Sequence, residues 1–268
     1  NVCSFPGRSA PIGSQGFPGF PAISATAVNR SSVAAYVELD TDLFTGFTTT
    51  LAGRFERFSD FGTTVNGKLA LRYELAEGFA LRGSLSNGFR APSLHQQFFT
   101  TTSTNFINGL PVEVSTLAVG APVARALGSK DLKPEKSVNL SVGFTANPIA
   151  GLTLTVDYYR IKIKDRIVLT ETLGAAGSGT AAVNAAVKAV LDANGFQSVG
   201  AARFFINGLD TTTEGFDAVA SYRFNPGFGS FTLTAAYNNN KTSIDRRINT
   251  LGPLATIPGI VLFGRVEG

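Results

Sequence analysis

Val33-Ala34-Ala35-Tyr36-Val37-Glu38-Leu39-Asp40 decides how this chain reads. Val33, Ala35, Val37 and Leu39 share one face of an extended strand and are all apolar. Ala34, Tyr36, Glu38 and Asp40 take the other face, as a two-residue period requires. The same phase continues in Leu51/Gly53/Phe55, Val65/Gly67/Leu69/Leu71/Tyr73, Phe79/Leu81/Gly83/Leu85 and Val138/Leu140/Val142/Phe144. It continues again in Leu152/Leu154/Val156/Tyr158, Phe216/Ala218/Ala220/Tyr222/Phe224 and Phe231/Leu233/Ala235/Tyr237. Every set is free of charge, while the intervening neighbours include Arg54, Lys68, Arg72, Arg82, Asp157, Asp217 and Arg223. A weaker ninth stretch, Ile260 to Glu267, carries Val261 and Phe263 on its polar side.

A soluble β-sandwich alternates as well, with its polar face toward water. Aromatic placement favours lipid instead: Phe44, Phe47, Tyr73, Phe79, Phe144, Tyr222, Phe224, Phe228 and Phe231 all flank short turns, which makes one interfacial girdle. Gly and Ala within the apolar sets also suit a lipid-facing wall better than a packed core. The expected fold is therefore all-β, an antiparallel transmembrane β-barrel wall of about nine strands.

Tight turns alternate with long connections. Strands are expected at about 32–43, 48–58, 65–75, 79–90, 136–145, 152–168, 211–224, 230–241 and 260–267. Turns at Thr45-Gly46-Phe47, Ala76-Glu77-Gly78, Asn147 to Gly151 and Asn225 to Gly229 face the periplasm on the outer-membrane pattern. Residues 1–30, 91–135 and 169–210 then become extracellular loops. Inside the last, Thr180 to Asn194 is Ala-rich with Gly195 behind it, and reads as a short amphipathic helix.

Four segments carry a family likeness. Asn87-Gly88-Phe89-Arg90-Ala91-Pro92-Ser93-Leu94 resembles the strand-to-loop junction of TonB-dependent outer-membrane receptors. Leu132-Lys133-Pro134-Glu135-Lys136-Ser137, Asp157-Tyr158-Tyr159-Arg160 and its continuation to Ile167, and Thr213-Glu214-Gly215-Phe216-Asp217 are similar to later segments of that family, in the same order. The resemblance covers roughly residues 30–268 and is strongest in the strands. It implies a 22-stranded barrel enclosing a plug domain, with active uptake of a scarce nutrient driven by the TonB energy-transducing complex. It also implies residence in the outer membrane of a Gram-negative bacterium, among its lipids and lipopolysaccharide. On that pattern residues 1–268 are a partial barrel domain from the C-terminal half, without the plug or the final strands. A ferric siderophore is the expected cargo. Oligosaccharide or cobalamin uptake, a passive porin, and a soluble β-rich binding protein or adhesin are the alternatives.

The motif residues are structural before they are functional. Pro92 stops regular pairing and Gly88 permits close backbone approach, so a strand ends and a loop starts there. Arg90 and Glu135 flank that loop and suit a pair across its mouth. The apolar phase changes near Tyr158-Tyr159, which a bulge or emergence of the strand above the membrane explains.

Ligand chemistry falls to the loops. His95, Gln96, Gln97, Phe98, Phe99, Asn105 and Phe106 combine aromatic faces with amide donors, as do Arg203, Phe204, Phe205 and Asn207. Such groups stack on catecholate or sugar rings, or alternatively pack the loops over the barrel. No cofactor is expected: an iron chelate brings its own ligands, and a single His95 and a single Cys3 cannot build a zinc or disulfide framework. Any disulfide partner of Cys3 is expected upstream. The +4 net charge and pI near 9.3 come from scattered Lys and Arg, so no nucleic-acid stripe is expected. No G-x-S-x-G element or compelling carboxylate pair suggests an enzyme. There is no run of transmembrane-helix length and no secretory leader, from which a removed signal peptide or an internal piece is expected.

Overall fold

The computed structural model describes residues 4–5, 8–9, 25–107, 110–249 and 251–263; Cys3 and most of the first expected loop lie outside the described residues. A short pairing joins β1 (Ser4–Phe5) to β2 (Arg8–Ser9). The wall then runs through β3 (Ser32–Phe44), β4 (Phe47–Phe58), β5 (Gly62–Ala76) and β6 (Phe79–Arg90). Between β6 and the next wall strand come α1 (Leu94–Phe98), β7 (Thr101–Ile107), β8 (Leu110–Leu117) and α2 (Pro122–Ala126). After them follow β9 (Glu135–Ala146), β10 (Leu152–Leu169), β11 (Leu173–Gly174), α3 (Ala181–Ala193), β12 (Ala201–Phe224) and β13 (Phe231–Arg247).

Wall strands pair antiparallel in the order β3-β4-β5-β6-β9-β10-β12-β13. Short turns close all four hairpins at one end, where Gly46, Gly78, Gly151 and Gly227 take positive φ. At Gly151 a side chain has no room, because a Cβ would meet the Arg223 carbonyl oxygen. The expected girdle assembles here: Phe44 stacks on Phe47 at 4.8 Å with Tyr73 beside them, Phe79 lies against Phe144, and Phe224 stacks between Tyr222 and Phe231.

The apolar face of this sheet is uncovered. Val33 is 75% exposed, Val37 69% and Leu233 63%, and most other large apolar outward residues are exposed too, while Phe79, Phe144, Leu152, Leu154, Val156 and Phe224 are half-buried. A sandwich would bury this face under a second sheet; a barrel wall presents it to lipid. One hydrogen-bonded row crosses every wall strand as Leu39, Leu51, Leu69, Leu85, Leu140, Arg160, Glu214 and Lys241. Strands spaced ~4.8 Å and tilted ~40° make such a row climb about 3 Å per strand. Five leucines followed by charge are what a slanted row shows on leaving the hydrocarbon layer.

The packed core lies among the loops. Phe204, Ile206 and Leu209 on β12 meet Val183, Val187 and Leu191 of α3, Leu127 after α2, and Leu254 and Phe263. The helix forms where expected. The Thr180 hydroxyl accepts from the Val183 amide, the buried residues repeat every four, and Gly195 at φ +84° lets Phe196 N donate to Leu191 O.

Two expectations are corrected, and a third is decided between its two alternatives. The strand expected from 211 starts at Ala201, because β12 continues past the wall and pairs parallel with β8 from Ala201 opposite Val114 to Phe204 opposite Leu117. The connections at 91–135 and 169–210 are thus partly built of strand and helix. The expected ninth strand is absent over 260–263, and 264–268 lie outside the described residues: Leu262 and Phe263 are both buried, whereas neighbours on a strand face opposite ways. Finally, pairing runs unbroken past Tyr158 and Tyr159 to Ile163, and the bulge sits at Lys164 to Arg166, where Asp165 has φ +56°. The phase change is therefore emergence. Outward Arg160 and Lys162 have left the apolar layer, while inward Tyr159 lies across Gly215, where a Cβ would strike its ring.

Candidate functional site at the loop end

The polar face of the wall carries paired charge. Arg82 on β6 reaches Asp157 on β10 across β9, its Nε donating to Oδ1 at 2.8 Å, and the strand between offers only Gly143 in that register. The junction motif resolves at the loop end. Above Lys68 and Ser86 the β5–β6 pairing stops, and the Asn87 amide takes over by accepting from Gly67 N at 2.7 Å and donating to Val65 O at 3.1 Å. Gly88 passes close to the Ser137 hydroxyl, Phe89 packs with Phe58 and Phe61, and Ala91 leads to buried Pro92. Ser93 then caps α1 in a box with Gln96, each bonding the other's backbone amide at 3.0 Å.

Arg90 and Glu135 do pair across the loop mouth: Nε donates to Oε2 at 3.0 Å and Nη2 to Oε1 at 2.5 Å. Glu135 is buried, and its Oε1 also accepts from Ile167 N at 2.8 Å, which ties β6, β9 and β10 together just above the wall. Pro134 precedes this knot. Farther down, Tyr158 and Phe216 are outward neighbours, and Asp217 accepts from the Asn238 amide beside Gly215.

The expected ligand residues separate. His95, Phe98 and Phe99 come together with Thr26, Ala27 and Val28 around a concavity of about 430 Å³, with the His95 and Phe99 rings 6.2 Å apart. Gln96 is committed to the capping box, and Gln97 donates to Asp60 at 3.2 Å. The side chains of Asn105 and Phe106 lie outside the described residues. In the second cluster Phe204 is corrected to a core residue: it is fully buried among loop hydrophobics and presents no ring to a ligand. Arg203 donates to the Thr116 hydroxyl at 2.8 Å, and Phe205 packs on Val119, Leu132 and Ile167. Asn207 clamps the loop at 133, accepting from Lys133 N and donating to Lys133 O, both at 2.8 Å, and donates to Asp165 O at 2.7 Å.

Two groupings had no sequence signal, since charge in an irregular loop has no register to betray it. Arg30 grips Asp60 through Nε and Nη2, donates to Pro92 O at 2.7 Å and lies 5.2 Å over the Phe61 ring. Burial works against the charged form of Asp60, but the Arg30 guanidinium and the Gln97 amide together hold its pKa below the ordinary aspartate value. Lys130, Asp131 and Lys133 line a second concavity of about 230 Å³ with Asp165, Asn207 and Leu251.

The sequence pattern of the TonB dependent receptor-like β-barrel matches residues 6–260. The chain belongs to this family. A probable TonB-dependent siderophore receptor, PirA, of Acinetobacter baumannii is 29% identical over 157 residues, covering 58% of this chain and 20% of the relative. An iron-regulated outer membrane virulence protein of Vibrio cholerae serotype O1 is 24% identical over 144 residues, 54% of this chain and 20% of the relative. Among solved structures, the siderophore receptor PirA from Pseudomonas aeruginosa superposes with a TM-score of 0.53 at 20% identity, covering 81% of this chain and 37% of that one. A mutant of the ferric enterobactin receptor PfeA of the same organism, in complex with enterobactin, gives 0.54 at 18%, covering 78% and 27%. This TonB-dependent receptor chain thus spans about a fifth of the length of the curated relatives it matches. It is an outer-membrane protein of a Gram-negative bacterium, and the eight-strand wall is an arc of the family's barrel.

Proposed function

We propose that the receptor containing this arc takes up a ferric siderophore in a TonB-energised cycle. The observation that carries the reading is the arrangement at the loop end: a lipid-facing wall with a polar inner face, capped by ordered loops that hold an aromatic concavity at His95, Phe98 and Phe99. Aromatic rings stack on catecholate, and a second concavity, where Lys130 and Lys133 stand with Asp131 and Asp165, offers ammonium donors to a chelate's oxygens. The names of the related receptors, which bind siderophores or respond to iron, support the same cargo class. Energy transduction runs through TonB and a plug domain, as the family pattern implies.

The test is uptake by the intact receptor in a deletion strain, with ferric catecholate and hydroxamate chelates, cobalamin and an oligosaccharide offered separately. Accumulation of a ferric chelate that ceases when TonB is deleted is the expected result. Accumulation of cobalamin or oligosaccharide alone overturns the cargo, and uptake that persists without TonB indicates a passive porin.

A further inference from the structure

The outward face of the wall carries a cationic cluster that a cargo moving along the polar inner face never touches. On β9 the apolar series Phe144, Val142, Leu140 and Val138 ends at Lys136; on β10 the series Leu152 to Tyr158 ends at Arg160, Lys162 and Lys164. Register sets Lys162 beside Val138, and Lys164 directly opposite Lys136. Like charges facing across a strand pair are unfavourable, and among the described residues none of Lys136, Lys162 and Lys164 has an ion-pair partner. Nearby acids are engaged elsewhere: Glu214 pairs with Arg160 at 3.0 Å, and Asp210 and Asp165 both pair with Arg246.

These lysines border a concavity of about 720 Å³ that opens where the β5–β6 pairing ends. Lys133, Lys136, Lys162 and Lys164 stand on one side together with the Asp165 carboxylate, which Arg246 pairs at 3.1 Å, the Phe61 and Phe89 rings on another, and Val65 and Val138 form an apolar floor. Both valines are more than half exposed and continue the lipid-facing rows. Ammonium groups directly above an acyl-facing floor meet the boundary between headgroup and hydrocarbon. At the turn end the outward positions are aromatic and aliphatic, so the charge asymmetry points to the outer leaflet.

We propose that this concavity seats a phosphate of a phosphorylated, multiply acylated glycolipid of the outer leaflet, the lipid A class. Lys136, Lys162 and Lys164 donate to the phosphate, Val65 and Val138 meet the proximal acyl chain, and the facing ammonium groups lose their mutual repulsion once an anion sits between them. The site rests on the placement of the wall in the outer membrane and is independent of which cargo the receptor carries.

The experiment uses the intact receptor, purified in a zwitterionic detergent and stripped of lipid. Native mass spectrometry is run with bis-phosphorylated lipid A, its dephosphorylated form, and inorganic phosphate. Wild type retains bis-phosphorylated lipid A, and K136Q/K162Q/K164Q weakens that retention on the order of tenfold or more. K68Q, which alters an inward lysine, leaves it unchanged. Retained heat-modifiable gel mobility of the triple variant establishes that its barrel is formed. Equal retention by folded wild type and triple variant, or equal binding of phosphorylated and dephosphorylated lipid A, overturns the proposal. Inorganic phosphate bound as tightly as lipid A also overturns it, by showing a free-anion site. Single-lysine variants, each expected to lose a smaller part of the retention, keep the test decisive if the triple variant does not fold.

Discussion

Arg82 and Asp157 form their ion pair over the top of a glycine. The two residues stand on strands separated by β9, and Gly143 occupies the register between them. A methyl group there would lie inside contact distance of both Asp157 Oδ1 and the Val156 carbonyl oxygen. The carbonyl is backbone in a paired strand and cannot swing aside. Gly143→Ala is expected to destabilise the barrel by about 1–3 kcal/mol, read as a lower urea midpoint of the intact receptor. Arg82→Ala in the same background should then cost less than it does alone, because the pair it removes is already broken. Additive losses would show that Gly143 does not serve the ion pair.

Glu135 binds three strands through two oxygens, so its variants separate charge from hydrogen bonding. Glu135→Ala leaves the Ile167 amide without its acceptor in a buried site, with an expected loss of about 1–3 kcal/mol. Arg90 contributes less than its two contacts suggest, since its side chain is 60% exposed and solvent screens it. Glu135→Gln keeps an acceptor for Ile167. Hydrogen exchange at Ile167 N–H is expected to quicken in the alanine variant and stay near wild type in the glutamine variant; equal rates in all three would refute the tie.

How much of this was legible depended on periodicity. Every wall strand with a lipid face on one side and a polar face on the other announced itself, because lipid forces alternation at each position. The expected start of β12 falls ten residues late because Ala201 to Asp210 leave the membrane and pack on both faces, so Phe204, Ile206 and Leu209 alternate with nothing that water or lipid selects. In sequence, Phe204 is consequently indistinguishable from a free aromatic, although it is core. The α3 segment was readable from its cap and its four-residue repeat. The Arg30–Asp60 grip and the Lys130–Lys133 concavity were not, because loop contacts depend on where the chain doubles back.

Asp60 provides the pH response. Its folded pKa is depressed, so its share of stability is fully present above the ordinary aspartate pKa near 4. That share is lost as pH falls through the depressed value, when Arg30 is left holding a neutral carboxyl. Asp60→Asn should therefore be less stable than wild type at pH 7, with the gap closing below about pH 4. Melting temperatures of the two proteins across pH 3–8 check it, and a gap independent of pH would assign the loss to geometry alone.

Phe98 and Phe99 are the residues on which the ligand reading stands or falls. Both are more than a third exposed, unlike Phe204, and share their concavity with His95 and the segment Thr26 to Val28. Neither belongs to the packed loop core, so removing both rings leaves that core intact. Each ring stacked on a catecholate contributes on the order of 0.5–1.5 kcal/mol, and Phe98→Ala/Phe99→Ala is expected to weaken binding of a ferric tris-catecholate by roughly tenfold. The urea midpoint should barely move. Isothermal titration with the intact receptor measures the first and intrinsic fluorescence the second. A lower midpoint with unchanged affinity would make the cluster loop packing, and would leave the concavity at Lys130 and Lys133 as the place to look for the chelate. Lys130→Gln and Lys133→Gln would then weaken binding in a salt-dependent way, which the aromatic variants should not.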